Sequence, residues 1–299
     1  MRIFLTGGTG YVGSAVLEAL VRGGHAVDAL VRHSQGAAVV QARGATPVLG
    51  DVLDPASWRD AAAAADVAIH AATEYGPRVR QVDEAAVNTL AALPRRDGRV
   101  IIYTSGVWVL GNAPTPVDER ATVNPLELVA WRPGHEQRIL DAASGGVRAI
   151  VVRPGVVYGG GRGIVGDIFK DVANGLVRVI GSGDNHWPLV YERDLGELYL
   201  RLVNTPTASG VYHANDEGDE TVNDLVAAIG EHAKIRPSVR HVPLAEARQK
   251  LGPYAEALAV DQIVRSPRAH GLGWAPTLHS VSGNAARLFE EWRHGREAA

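Results

Sequence analysis

Near the amino terminus, Thr6-Gly7-Gly8-Thr9-Gly10-Tyr11-Val12-Gly13 stands between a short apolar run at Arg2–Thr6 and a helical pattern carried by Val12, Val16, Leu17, Leu20 and Val21. A tight turn, a close approach of backbone to pyrophosphate and close packing of helix on strand each need a residue without Cβ. Gly7, Gly10 and Gly13 stand where those needs arise. The following helix offers unpaired N–H groups and a partial positive charge to phosphates. This spacing between strand and helix implies a dinucleotide site, with Thr9, Tyr11 and Val12 in its loop.

The residue that closes the second strand selects the sugar. An acid there binds the ribose hydroxyls of NAD, whereas the 2′-phosphate of NADP wants a cation. Here the strand ends Leu30-Val31-Arg32-His33-Ser34, and the planar fork of Arg32 suits phosphate oxygens. Asp28 is the only nearby acid, and strand alternation does not bring it to the tip. NADP is therefore expected over NAD, with Arg32, His33 and Ser34 at its 2′ end.

Positioning such a loop takes a parallel sheet, and the first half of the chain supplies its pattern. Strands are predicted at Arg2–Thr6, Ala26–Val31, Thr46–Leu49, Val67–His70, Arg99–Thr104 and Val147–Arg153. Helices are predicted at Ser57–Ala65, Val79–Leu93 and His135–Ala143. The alternation reads as α/β, a Rossmann doubly wound parallel sheet with a smaller C-terminal substrate domain. The expected boundaries are residues 1–156 for the dinucleotide-binding domain and 157–299 for a mainly substrate-binding one, some of whose segments return to the sheet. Later helices are expected near Asp194–Val203, at Val222–Ala233 behind a capping box at Thr221–Asp224, and at Val281–Trp292. Asp216–Glu220 reads as a solvated turn and not a calcium loop.

Composition narrows the function classes. The 299 residues are 46% apolar and 21% charged with a formal net charge of −3, so there is no basic excess for nucleic acid. The chain has no Cys, which excludes disulfides, thiolate zinc sites and thiol nucleophiles, and no metal is expected. No apolar run reaches the ~18 residues of a membrane span and no leader pattern precedes Arg2, so a cytoplasmic protein is expected. The partner expected is a small-molecule substrate, and a homodimer stays open.

Further segments extend the pattern. Gly50-Asp51-Val52-Leu53-Asp54, Asp66–Ala72, Ile101–Gly106, Arg153–Gly159 and Val190–Leu195 resemble, with the glycine loop, the extended short-chain dehydrogenase/reductases, the NAD-dependent epimerase/dehydratase family. The resemblance runs from Met1 to about Glu231. It implies that Asp51 and Val52 meet the adenine, that Ala71 and Ala72 pass beneath the cofactor, that Pro154 leads into the substrate domain, and that Ser105 is the active-site Ser.

The departure is at the catalytic centre. The family carries Tyr-x-x-x-Lys after the Ser, yet no Tyr lies between Tyr103 and Tyr158, and no Lys precedes Lys170. The nearest match is Trp131-Arg132-Pro133-Gly134-His135. Indole is a donor that does not titrate, Arg132 cannot shuttle protons, and Pro133 sets the helix start close to itself. His135 is either the replacement acid/base or a structural His, and Ser105 either donates to a substrate carbonyl or is satisfied by backbone. Tyr158 is a third catalytic candidate. His186, Trp187 and Tyr191 are expected to line a pocket beyond the fifth strand, with Trp187 pointing to an apolar or aromatic substrate. The leading reading is an NADP-dependent oxidoreductase acting on the carbonyl or alcohol of a small organic molecule with a non-standard proton donor. The alternatives are a nucleotide-sugar epimerase/dehydratase and a non-enzymatic NADP(H)-binding sensor.

Overall fold

In the computed structural model, which describes residues 1–74 and 76–297, seven strands form one parallel sheet. They are β1 (Arg2–Thr6), β2 (Ala26–Val31), β3 (Thr46–Leu49), β4 (Val67–His70), β5 (Val100–Thr104), β6 (Arg148–Pro154) and β7 (Gly210–Ala214). Their order is β7-β6-β5-β4-β1-β2-β3, so the direction of winding reverses at β1, beside β4. Ligands of such sheets bind beyond the carboxyl ends at this reversal.

Both faces of the sheet are covered, which is why its strands are almost continuously apolar. Successive side chains point to opposite faces. Ile3 and Leu5 therefore pack with Val16, Leu17 and Leu20 of α1 (Tyr11–Arg22), while Phe4 packs with Trp58 and Ala62 on the other side. That second face is closed by α2 (Arg59–Ala64), α3 (Val79–Ala91) and α4 (Arg132–Asp141), through Val87, Leu90 and Ile139. On the α1 side lies α5 (Glu192–Asn204), which buries Leu195, Leu198 and Leu202.

A separate core forms after β6. Val156–Tyr158 pairs in parallel with Leu189–Tyr191, and Val165, Phe169, Leu225, Ile229 and Trp292 pack around them. The helix Val222–Ala233 starts at the expected capping box, with Thr221 and Asp224 bonded reciprocally. The last helix, Ala285–Glu297, begins after the expected Val281. The reason is Glu220, whose carboxylate takes the N–H groups of Val281 at 2.6 Å and Ser282 at 2.8 Å.

This corrects the reading of Asp216–Glu220 as a solvated turn. Asp216 is 1% exposed and Glu220 7% exposed, and Asp219 pairs with Arg265. Among the described residues no helix is long and apolar enough to cross a membrane.

Candidate functional site

The glycine turn follows β1 directly. Gly7 has φ +83°, and a Cβ there would lie 2.6 Å from the backbone of Ala71 and Ala72. At Gly13 a Cβ would come within 2.0 Å of the Gly7 carbonyl. Only glycine permits this coil, and the coil is what brings the Ala71-Ala72 segment after β4 against the loop. At α1, Gly10 is the N-cap, no side chain caps it, and the first turn carries no acid. Its first N–H groups and positive dipole end face outward beside exposed Thr9, with Val12 half-buried. Tyr11 donates its hydroxyl to the Gly159 carbonyl at 2.7 Å.

Arg32, His33 and Ser34 are exposed just past β2, and among the described residues Arg32 has no ion pair. Asp28 is buried and holds Arg2 Nε at 2.6 Å, so it is committed at the opposite end of the strand. Asp51 closes the turn after β3 by accepting the Leu53 N–H at 2.8 Å, with Val52 half-buried beside it.

Ser105 stands immediately beyond β5. Its N–H donates to the Val152 carbonyl at 2.8 Å, but its hydroxyl is buried with no hydrogen-bond partner. Of the two sequence readings, satisfaction by backbone is thus not what the structure holds. An unpaired buried hydroxyl costs about 1–3 kcal/mol, and a ligand oxygen would relieve it. Pro154, at the end of β6, brings its carbonyl to 3.8 Å from where a Gly106 Cβ would sit.

Trp131 is the N-cap of α4 and Pro133 lies in its first turn, as the sequence requires. Arg132 reaches back to the Thr104 carbonyl at 3.0 Å and lies over the Trp131 ring, 4.8 Å from its centroid. His135 points inward, 5.0 Å from Trp131 between ring centroids, and its Nδ1 is 2.6 Å from Asp83 Oδ2. The same carboxylate accepts the Tyr103 hydroxyl at 2.7 Å, and His70 Nε2 is 3.4 Å from its other oxygen. His70 Nδ1 in turn meets Thr6 Oγ1 at 2.7 Å. A chain of side chains therefore runs from the start of the glycine turn to the degenerate motif.

Burial alone would raise the Asp83 carboxyl, but hydrogen bonds from His135 and His70, with the nearby Arg132 charge, outweigh it and hold Asp83 well below the usual carboxylate range. Burial pushes the Tyr103 phenol well above its ordinary value. Asp83 was missed in the sequence, although a signal existed. It stands on the apolar stripe of a helix, in step with Ala86, Val87 and Leu90, where an acid must have partners.

Three expected positions are corrected. Tyr158 does not face a cleft: it is fully buried, its hydroxyl donates to the Leu278 carbonyl at 3.4 Å, and burial drives its pKa far upward. The parallel register sets Tyr158 opposite Tyr191, so both rings enter the second core, 5.7 Å apart. Tyr191 is 1% exposed and bonds Glu291 at 3.0 Å, and Trp187 is 4% exposed and donates to the Leu258 carbonyl at 3.2 Å. Of the expected pocket walls beyond β5, only Ser105 and His186 keep a polar atom for a ligand. His186 is partly exposed and paired with Asp261 at 2.8 Å. Two surface hollows lie elsewhere: one of about 680 Å³ by Asp118, Arg120, Glu217 and Arg265, the other of about 370 Å³ by Arg95, Arg99, Arg138 and Ser144. Neither is lined by the glycine loop or Ser105.

A doubly wound parallel sheet with a glycine turn at its winding reversal defines a Rossmann-type α/β protein. The chain belongs to the NAD dependent epimerase/dehydratase family, whose profile matches residues 3–215. It is 32% identical to the uncharacterized protein C2A9.02 of Schizosaccharomyces pombe, over 94% of this chain and 96% of that one. It is 28% identical to the 4-hydroxy-2-methyl-3-oxo-4-farnesyl-3,4-dihydroquinoline-1-oxide ketoreductase of Stigmatella aurantiaca, over 83% and 78% of the two chains. The fold is similar to that of human epimerase family protein SDR39U1, solved with NADPH, with TM-score 0.78 and 21% identity over 97% and 99% of the two chains.

Proposed function

We propose that the protein is an NADP-dependent oxidoreductase acting on the carbonyl or alcohol of a small organic molecule. The observation that carries this reading is the buried, unpartnered hydroxyl of Ser105 at the carboxyl end of β5. Family membership and a relative named as a ketoreductase support it.

The residues fit such a cofactor. The coil of Gly7 to Gly13 and the uncapped, acid-free start of α1 would hold its pyrophosphate, Ala71 and Ala72 would pass beneath it, and Arg32 would meet the 2′-phosphate. When bound, NADPH supplies hydride. Ser105 Oγ donates its hydrogen bond to the carbonyl oxygen and polarises it. His135 is the titratable group at the site of the lost motif. Asp83 accepts a hydrogen bond from the ring Nδ1–H, fixing its orientation and leaving Nε2 as the atom that passes a proton to the reduced oxygen. Trp187 is buried and gives no account of the substrate. The half-buried indoles of Trp108, three residues past Ser105, and Trp131, against His135, favour an apolar or aromatic carbonyl compound instead.

The test is NADPH oxidation against a panel of aliphatic and aryl carbonyl compounds, alongside direct titration of NADPH. Turnover of aryl ketones or aldehydes, lowered by ~10²-fold in Ser105→Ala, is the expected result. Tight NADPH binding without turnover of any member would replace the enzyme with a sensor. Interconversion of a nucleotide sugar without net NADPH consumption would replace it with an epimerase.

A further inference from the structure

We infer that Arg162, on the glycine-rich loop after Tyr158, is a pyrophosphate ligand that completes the cofactor site across the molecule; the inference rests on the dinucleotide reading above. The glycine turn after β1 by itself offers only backbone to a phosphate. The structure lays a guanidinium against it.

Arg162 Cζ lies over the Tyr11 ring, 4.7 Å from its centroid, and Nη2 donates to Ser14 Oγ at 3.0 Å. Tyr11 and Ser14 are both in the first turn of α1, so the cation sits within one turn of that helix's amino end. Its own loop is built to reach there: Gly159, Gly160, Gly161 and Gly163 all have positive φ, and the Tyr11 hydroxyl anchors the loop through the Gly159 carbonyl.

This placement favours an anion. A helix amino end already carries partial positive charge, and a cation beside it is repelled. No acid in the first turn of α1 offsets either charge. The nearest carboxylate is Glu192, 4.0 Å from Nη2. Burial raises the Glu192 carboxyl above the ordinary range, while Arg162 and Arg193 pull it down. The side chain of Arg162 also stays 45% exposed. Two positive features converging on one point, with Glu192 the one carboxylate in ion-pair range of Arg162 among the described residues, suit a ligand bearing two adjacent phosphates.

Calorimetric titration of the full chain with NADPH, NADH, ADP-ribose and 2′-AMP separates this role from the others. The first three carry a pyrophosphate and the last does not. In R162M, which keeps the stem over Tyr11, affinity for NADPH, NADH and ADP-ribose is expected to fall by about tenfold each, with 2′-AMP unchanged. R162K should retain most of the affinity, since it retains the charge. Wild-type affinity for ADP-ribose in R162M would overturn the inference. So would an equal loss for 2′-AMP accompanied by a lowered Tm, which would make Arg162 a structural latch. Failure of the wild-type chain to bind any of the four would remove the dinucleotide reading itself, and this inference with it.

Discussion

Asp83 Oδ2 lies 2.6 Å from His135 Nδ1, so a carboxylate on α3 holds the one titratable side chain of the degenerate motif on α4. Its second donor, the Tyr103 hydroxyl, extends the link to β5. Both helices are thereby fixed to β5, the strand that leads to Ser105. Removing the carboxylate leaves His135 and Tyr103 without their shared acceptor, a loss of roughly 3 kcal/mol.

The stability effect of Asp83 depends on pH in a definite direction. Its folded pKa is depressed, so its contribution is present above the ordinary carboxylate range and is lost as pH falls through that range and below it. Urea unfolding of Asp83→Asn should therefore show a large deficit at pH 7 that shrinks in acid. A deficit independent of pH would mean that Asp83 acts through packing alone.

Asp216 is the opposite case. Burial raises its carboxyl to about 7, while the Gly218 N–H bonded to Oδ1 at 3.1 Å opposes the shift. The folded state then binds the proton more tightly than the unfolded chain does. Stability is lost as pH rises from about 4 to about 7, by at most roughly 4 kcal/mol, and stays level above. Asp216→Asn keeps the Oδ1 acceptor without the charge. Its Tm should exceed that of the wild type at pH 8 and match it near pH 4, and a lower Tm at pH 8 would refute the assignment.

For turnover, the two candidates act at different points. Ser105→Ala should lower kcat for ketone reduction by ~10²-fold through loss of one donor to the developing charge. His135→Ala should cost ~10²-fold or more, with NADPH affinity preserved. Tyr158→Phe, deep in the second core, should leave kcat within about twofold, the scatter expected of a change remote from the reacting atoms. Full activity in both Ser105→Ala and His135→Ala would remove acid catalysis from this site.

At the adenosine end, Arg32→Ala should weaken NADP by ~1.5–3 kcal/mol and leave NAD nearly unchanged. Equal losses for both cofactors in titration would show that Arg32 does not read the 2′-phosphate. Asp28→Asn is the control, because Asp28 is spent on Arg2 and should not alter the preference.

The sheet strands and the glycine turn were legible in the sequence because their causes are local. A strand buried on both faces must be apolar throughout, and a turn against phosphate must lack Cβ at three set positions. Pro133 likewise announced the start of α4 through its missing N–H. A return of later segments to the sheet is expected from the sequence without its residues, since only the partner β6 identifies the short run Gly210–Ala214 as strand β7. What the tertiary structure alone decided was where polar groups meet. Asp83 and His135 are 52 residues apart, and Arg162 and Ser14 are 148 apart, yet each pair is within hydrogen-bonding distance. The sequence placed Tyr158 and Tyr191 at a cleft because strand ends commonly face one. Parallel pairing of their two short strands turned both rings into a second core instead. Composition and spacing act along the chain and so specify elements and turns, whereas the partner of a buried charge is set by packing between elements, which no spacing along the chain encodes.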